Sequence, residues 1–323
     1  MSAAPEGPPT TTARAPLLLH GAAGIGLWDA LRQRAADALC ERPGAAGAAC
    51  GRCAACRLRD AGTHPDRFAL LPEALAIEVG EAAPAERGAS PPSRDIAIDS
   101  VRRLVDWSHA TSHRGRARVA LVYPLDAMAA PAANALLKTL EEPPPGLYFY
   151  MGTHRLDRVL PTLRSRAVLQ AMPRPTAAAA LAVLQQRDCA DAEAVAAWCR
   201  NAVHAAQPEA GLDWALGMLA LLDGQGARQA LVAATPPAAV AVTALQKISV
   251  DLMRARHALA PLYLPRQAER LRRLGAAAEP LEWLRRWQEL ARAAAQTHVA
   301  LHAGLSAERW VLEFGHIQPR SEI

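Results

Sequence analysis

The chain has 323 residues, 51% hydrophobic and 21% charged, with 36 Lys and Arg against 31 Asp and Glu for a formal net charge of +5. That balance fits a soluble protein with room for two or three domains and a sizeable core. No apolar run of about 18 residues exists, which argues against a membrane span. A net charge of +5 permits contact with nucleic acid without demanding it, and a solvated basic surface is the preferred reading. The alanine excess favours helix over strand.

Residues 1–16 are rich in Ala, Pro and Thr and lack the apolar centre of a signal peptide, so a loose tail is expected. Leu17–Leu19 then reads as a strand, followed by a glycine-rich turn from Gly21 through Gly24 to Gly26 and a helix from about Trp28 to Leu39. A phosphate-binding loop of the GxxxxGK[ST] type cradles phosphates with backbone N–H groups. It also needs a Lys for the outer phosphates and a hydroxyl for Mg²⁺. Gly21 to Gly26 keeps the loop spacing, but Leu27 stands at the Lys position and Trp28 at the hydroxyl position. The reading is an NTPase scaffold with a degenerate loop that binds no ATP productively.

Directly after that helix, Cys40, Cys50, Cys53 and Cys56 form C-x9-C-x2-C-x2-C. Two overlapping CxxC steps put three thiolates in a tight turn, and the fourth closes a tetrahedron from the helix end. Four sulfurs at about 2.3 Å make a closed structural Zn²⁺ site with no position left for catalytic water. His64 is a minor rival as ligand. Cys189 and Cys199 fall on helical segments and read as small buried hydrophobes. Clustered cysteines suit a reduced compartment, so a cytoplasmic location is expected.

Phe68–Leu71 is a second strand, and Glu73–Arg94 a surface excursion rich in Pro, Gly, Glu and Ala. Ser100 leads into a helix with Val101, Leu104, Val105 and Ser108 on one face. The basic run from His113 through Arg114 and Arg116 to Arg118 reads as a solvated loop in preference to a phosphate contact. Val119–Tyr123 is a continuously apolar strand. A helix over Asn134–Glu142 is stopped by Pro143–Pro145, and strands follow at Leu147–Met151 and Ala167–Gln170. Alternating strands and helices argue for a parallel sheet with covered faces. Beyond Met172 the strand signals stop. Thr176 can cap a helix through Gln186, Ala190–Ala206 carries another, and from about Gly211 the pattern is helical with breaks near Pro236–Pro237, Pro261–Pro265 and Gly275.

Taken with the degenerate loop and the cysteines, the stretches Ala61–Asp66, Ala132–Pro145 and Leu163–Arg166 carry a resemblance. The string Asn134-Ala-Leu-Leu-Lys-Thr-Leu-Glu-Glu-Pro143 is its most specific part. The chain resembles the delta-prime subunits of bacterial DNA polymerase III clamp loaders, within the AAA+ superfamily. The resemblance covers the N-terminal half well. The C-terminal half matches in helical character and in Ala244–Asp251.

The resemblance implies an α/β RecA-like AAA+ domain over 17–171 carrying a zinc module at about 40–66. A helical lid over 172–210 and an all-α collar over 211–323 would follow. It implies a non-hydrolysing stator of the holoenzyme, held in a ring with the gamma/tau ATPase subunits and the clamp-opening delta subunit. That ring meets primed DNA and, indirectly, the sliding clamp, with no membrane involved. Arg166 matches the arginine finger lent to a neighbour, although Ala167 stands where the family commonly has Cys. The Mg²⁺-binding acids after the Val119–Tyr123 strand are reduced to Asp126, and Thr153 matches a sensor position but reads as a structural hydrogen-bonder. In the lid, Arg200–Ala206 departs from the family's Gly-rich stretch and sensor arginine. A second reading is an autonomous zinc-dependent nucleic-acid-binding protein on a degenerate AAA+ scaffold, which steep salt dependence of DNA binding by the isolated chain would reveal.

Overall fold

A computed structural model describes residues 15–82, 92–205 and 207–277, with isolated positions 285, 288, 289, 292 and 311. The expected tail over 1–14, the middle of the Glu73–Arg94 excursion and most of the collar beyond 277 lie outside the described residues. The chain divides into two compact units, Met1–Arg174 and Pro175–Ile323.

The first unit is an α/β domain. Its strands are β1 (Leu17–His20), β2 (Arg67–Leu70), β3 (Arg118–Val122), β4 (Leu147–Thr153) and β5 (Val168–Ala171). They form one parallel sheet in the order β2-β3-β4-β1-β5. Among the described residues its helices are α1 (Leu27–Leu39), α2 (Ala54–Asp60), α3 (Glu73–Glu78), α4 (Ile98–Ser108), α5 (Ala130–Glu141) and α6 (Pro161–Arg164). All five residues of β3 are buried, and Val119–Val122 is the continuous apolar run expected of a strand with a neighbour on each side. Phe149 and Met151 of β4 pack with Leu104 of α4 and Leu136 and Leu140 of α5, each such side chain contributing about 1.5–3 kcal/mol on burial.

Local chemistry sets the element ends. Pro131 sits in the first turn of α5, where its missing N–H costs nothing. Glu142, just before the prolines, leaves the helical region at φ −127° and ψ 70°, because a following proline disfavours the helical conformation.

Two expectations for this unit change. The Glu73–Arg94 excursion includes α3, a short helix started by Pro72 and Glu73. The sheet is also not covered throughout: every residue of β5 is exposed, Val168 by 55% and Leu169 by 45%. An edge strand has one neighbour, and apolar composition alone does not reveal which strand that will be.

The second unit is helical among its described residues: α7 (Ala177–Gln186), α8 (Ala192–Trp198), α9 (Leu212–Leu222), α10 (Arg228–Ala233), α11 (Ala238–Arg256) and α12 (Ala268–Ala277). Thr176 caps α7 by accepting from the Ala179 N–H at 3.2 Å. Buried side chains from α7 through α12, Trp198, Met218, Leu245 and Leu271 among them, form one core.

The helix expected over Ala190–Ala206 ends at Trp198, where Arg200 and Asn201 take left-handed conformations. Gly275 does not break a helix: α12 runs through it. A Cβ there would lie 2.7 Å from the Leu252 carbonyl oxygen, so the glycine permits close approach to α11.

Candidate functional site

Helix α1 has a candidate site at each end. At its start the chain leaves β1 through Gly21, whose N–H donates to the Thr153 carbonyl at 3.3 Å. Gly24 and Gly26 have φ of 77° and 88°, and Gly26 starts the helix with no side-chain cap. The turn thus runs through two left-handed glycines into α1, and an aromatic group packs beside the first turn of that helix.

Trp28 is 7% exposed and stacks on Tyr123 with ring centroids 5.7 Å apart and planes inclined by 22°. Tyr123 meets His154 edge-on at 5.3 Å, and its hydroxyl hydrogen-bonds to His154 Nε2. Gly152 makes room for this: a Cβ there would lie 2.9 Å from both Tyr123 Cδ2 and Leu31 Cδ1. Burial, with help from the Asp126, Asp29 and Glu78 carboxylates, raises the Tyr123 phenol well above its ordinary range, so it stays protonated. Trp28 Nε1 and His154 Nδ1 are buried with no hydrogen-bond partner among the described residues.

Asp126, the remaining acid after β3, is drawn into the fold. It accepts from Thr153 Oγ1 at 2.6 Å and from the His154 N–H at 3.3 Å. Thr153 is fully buried and accepts from the Arg155 N–H at 3.1 Å. No lysine amine or aliphatic hydroxyl follows Gly26, so the arrangement offers neither of the groups that engage phosphate and Mg²⁺ in a working loop.

At the other end of α1, the sulfurs of Cys40, Cys50, Cys53 and Cys56 all lie within 4.8 Å of one another. Cys40 closes the helix, and Cys53 caps α2 by accepting from the Cys56 N–H. The Cys40 and Cys53 sulfurs are 3.9 Å apart, too far for a disulfide. Ligands at about 2.3 Å around a tetrahedral ion sit about 3.8 Å apart, so the spacing suits one metal.

Backbone N–H groups point at the sulfurs: Cys50 N–H to Cys40 Sγ at 3.2 Å, and Cys53 N–H to Cys50 Sγ and Cys56 N–H to Cys53 Sγ at 3.4 Å each. Burial works against the Cys53 thiolate, but the hydrogen bonds outweigh it and bring that thiol down to about 6. Burial and the adjacent Cys53 sulfur push Cys56 up to about 12. The four sulfurs are a donor set that could hold a metal ion.

Features far apart in sequence anchor this module. Asp66 is 1% exposed and accepts from the His113 N–H at 2.8 Å, the Arg114 N–H at 3.0 Å and Ser112 Oγ at 3.1 Å. Arg114 pairs with Glu41, next to Cys40, and holds that carboxyl below the usual range. Arg116 donates to the Glu41 carbonyl at 3.0 Å. Arg118 is buried, lies 4.3 Å from the Trp107 ring centroid and donates to the carbonyls of Trp107, Ser108 and Ala110. The three arginines of the expected solvated loop thus all have partners within the chain.

His64 stands outside the sulfur cluster. It is 5% exposed, its Nδ1 accepts from the Asp66 N–H at 3.1 Å, and burial lowers its pKa. Cys189 and Cys199 are part-buried against the second unit's core.

Arg166 lies between α6 and β5. Its guanidinium pairs with Glu141 at the end of α5 and donates to the Thr162 carbonyl at 2.9 Å. Both partners stay accessible, with side chains 31% and 46% exposed. Arg166, Glu141, Ser165 and Pro143 line one open pocket with Ala15 and Pro16. The sequence carried the cysteines and the lost loop residues. It did not carry Tyr123, His154, Asp66 or Glu41, whose roles depend on partners distant in the chain.

Residues 10–176 match the family model described as "DNA polymerase III, delta subunit", just over half of the chain. The chain is 46% identical to DNA polymerase III subunit delta' of Pseudomonas aeruginosa over 164 residues, 51% of this chain and 44% of that protein. It is 36% identical to the subunit of that name from Escherichia coli over 137 residues, 42% of this chain and 36% of that one. The subunit from Yersinia pestis is 39% identical over 117 residues, 36% of this chain and 29% of that one. The matched stretches thus span less than half of the length of these curated relatives. Among the described residues no helix is long and apolar enough to cross a membrane.

Proposed function

The chain belongs to the DNA polymerase III delta subunit family, and on that premise we propose that it is a non-hydrolysing stator of a clamp loader in DNA replication, which lends Arg166 to the ATP site of a neighbouring subunit. The observation that carries the first half of this reading is the stack of Trp28 on Tyr123 at the start of α1. With that stack beside the first turn and no Lys or hydroxyl after Gly26, the chain lacks the groups that position Mg²⁺ and stabilise charge on a transferring phosphoryl group. Its neighbours would be the gamma/tau ATPase subunits and the clamp-opening delta subunit. The ring they form would meet primed DNA and, through the delta subunit, the sliding clamp.

Arg166 has properties that suit a group acting in trans. It is accessible and pre-positioned by Glu141 and the Thr162 carbonyl. An ion pair this exposed contributes little to stability, so a γ-phosphate with its higher charge can displace Glu141. The planar fork then stabilises charge on the γ-phosphoryl oxygens, an effect of about 10³–10⁵ in rate for arginine fingers generally.

The sulfur cluster would hold one structural zinc through Cys40, Cys50, Cys53 and Cys56. When bound, zinc supplies a cross-link between the end of α1 and the start of α2. The chain's own groups prepare that site through the N–H donors that favour thiolates and the Asp66 and Glu41 anchors.

Reconstituted rings carrying Arg166→Ala test the central step. Assembly and metal content should be unchanged, total ATP turnover should fall in part, since one site is served, and clamp loading should fall further. Arg166→Lys should rescue poorly, because a point charge does not reproduce the fork. Wild-type loading by a normally assembled Arg166→Ala ring would overturn the reading.

A further inference from the structure

Of the 36 basic residues only two are lysines, Lys138 and Lys247. Lys138 is exposed on α5, whereas Lys247 is part-buried on α11, among the buried Ala244, Leu245, Ile248 and Ser249. Its Nζ lies 3.9 Å from the ring centroid of Trp198 and 5.6 Å from that of Tyr263. The two rings meet edge-on at 6.4 Å, and Trp198 is fixed by donating Nε1–H to the Ala210 carbonyl at 3.2 Å. Among the described residues no carboxylate or carbonyl accepts from this amine. Arginines of the same unit, by contrast, reach carboxylates: Arg266 pairs with Asp191 and Glu193, and Arg270 and Arg273 with Asp223.

An ammonium held against ring faces gains cation–π attraction, but it has given up hydration with no countercharge among the described residues. Burial brings Lys247 down to about 8, with the charge of the nearby Cys199 thiolate acting in the opposite sense. Other ionisable groups stand on its own helix, on the helices packed against it and beside Cys199, where Glu209 is exposed. Asp251 on the same helix accepts from the N–H groups of Leu262, Tyr263 and Leu264. On the packed helices, Asp213 of α9 is exposed, and Glu269 of α12 pairs with Arg272. Cys199 is itself pushed up to about 11 by burial and donates to the Val195 and Pro208 carbonyls, so near neutral pH it carries little charge.

We propose that Lys247 is a modification site, an amine that accepts acyl groups from small activated donors of the acyl phosphate class in preference to Lys138. The neutral amine attacks the acyl carbon and forms the N–C bond. The bond from that carbon to the phosphate oxygen breaks, phosphate leaves with the electron pair, and the surplus proton on nitrogen passes to solvent. The product is a neutral amide in the same aromatic cradle, which removes the only lysine charge of the second unit's described core.

The test uses the full chain and acetyl phosphate as probe, with acetylation at each lysine followed by peptide mass spectrometry from pH 6.5 to 10. An ordinary exposed lysine titrates near about 10.4, so the shift raises the free-amine fraction roughly a hundredfold. Lower basicity takes back about half of that gain on a logarithmic scale by analogy with thiols. Lys247 should therefore acetylate about tenfold faster than Lys138 at pH 7.5, with a midpoint near pH 8. The preference should vanish in urea. Equal or faster labelling of Lys138 in the folded chain, or a preference that persists in urea, would overturn the proposal.

Discussion

The two ends of α1 have gone opposite ways on one scaffold. At the start, Gly24 and Gly26 take left-handed conformations, Leu27 and Trp28 follow, and Trp28 stacks on Tyr123. At the end, all four sulfur donors are together and backbone N–H groups point at them. The turn at the start is held by the strand before it and the helix after it, whatever side chains it carries. A segment such as 40–60 has only short helices and four buried residues in its own small core, Cys40, Cys53, Ala55 and Cys56. Three of those four are cysteines, so the sulfur donors make up most of the segment's own core.

That contrast is broken most forcefully at the cysteine end. Cys53→Ser should reduce bound metal from one per chain to near zero and open 40–60 to proteolysis, while the sheet stays folded. Structural zinc binds zinc-finger peptides with about 10–16 kcal/mol, so no packing in this short segment replaces it. Elemental analysis with limited proteolysis reads both effects, and full metal content in the variant would remove the distinction between the ends.

At the aromatic end the largest loss should come from packing. Trp28→Ala should cost about 3–5 kcal/mol in urea unfolding, the range for deleting a buried aromatic, with metal content unchanged. Leu27→Lys should not create ATP turnover, because Trp28 still occupies the hydroxyl position and Asp126 is engaged with Thr153.

How far each end was legible follows from the range of its interactions. Cys40, Cys50, Cys53 and Cys56 lie within one short segment, so spacing alone indicated the cluster. Leu27 and Trp28 stood out by their identity, but nothing local showed that Trp28 would stack on Tyr123 or that Tyr123 would meet His154 edge-on. The sheet was readable from β3 and β4, whose apolar runs are continuous, while β5 has the same composition and lies exposed at an edge. Gly275 was misread as a break because its reason is a carbonyl on another helix. Arg114 and Arg116 looked solvated because their acceptor, Glu41, is distant in sequence, and Arg118 because its acceptors are carbonyls at the end of α4, which composition does not announce.

The tether between the module and the sheet sharpens the comparison at smaller scale. Asp66→Ala leaves the His113 and Arg114 N–H groups without their acceptor and should cost about 1–3 kcal/mol. Proteolysis at 40–60 should rise before global unfolding. Equal loosening of both ends of α1 would show that the module is not held separately.

The smallest effect separates the ends by pH. Metal binding needs thiolates, so the cysteine end should fail in acid as protons compete. Tyr123 has its folded pKa raised above the unfolded value near about 10. Above that pH the unfolded chain releases the proton and the folded chain keeps it, so stability contributed there falls as pH rises. Tyr123→Phe should cost about 1 kcal/mol at neutral pH for the lost hydrogen bond to His154 and should flatten the alkaline limb of stability against pH. An unchanged alkaline limb would assign it to other groups.

The most direct measurement is a calorimetric titration of the metal-loaded chain with MgATP. The account predicts no saturable magnesium-dependent heat at millimolar nucleotide, with no turnover in the same cell. Saturable binding that is lost on removing magnesium would show that the aromatic stack yields to nucleotide, and would contradict the claim that the start of α1 has given up its ligand.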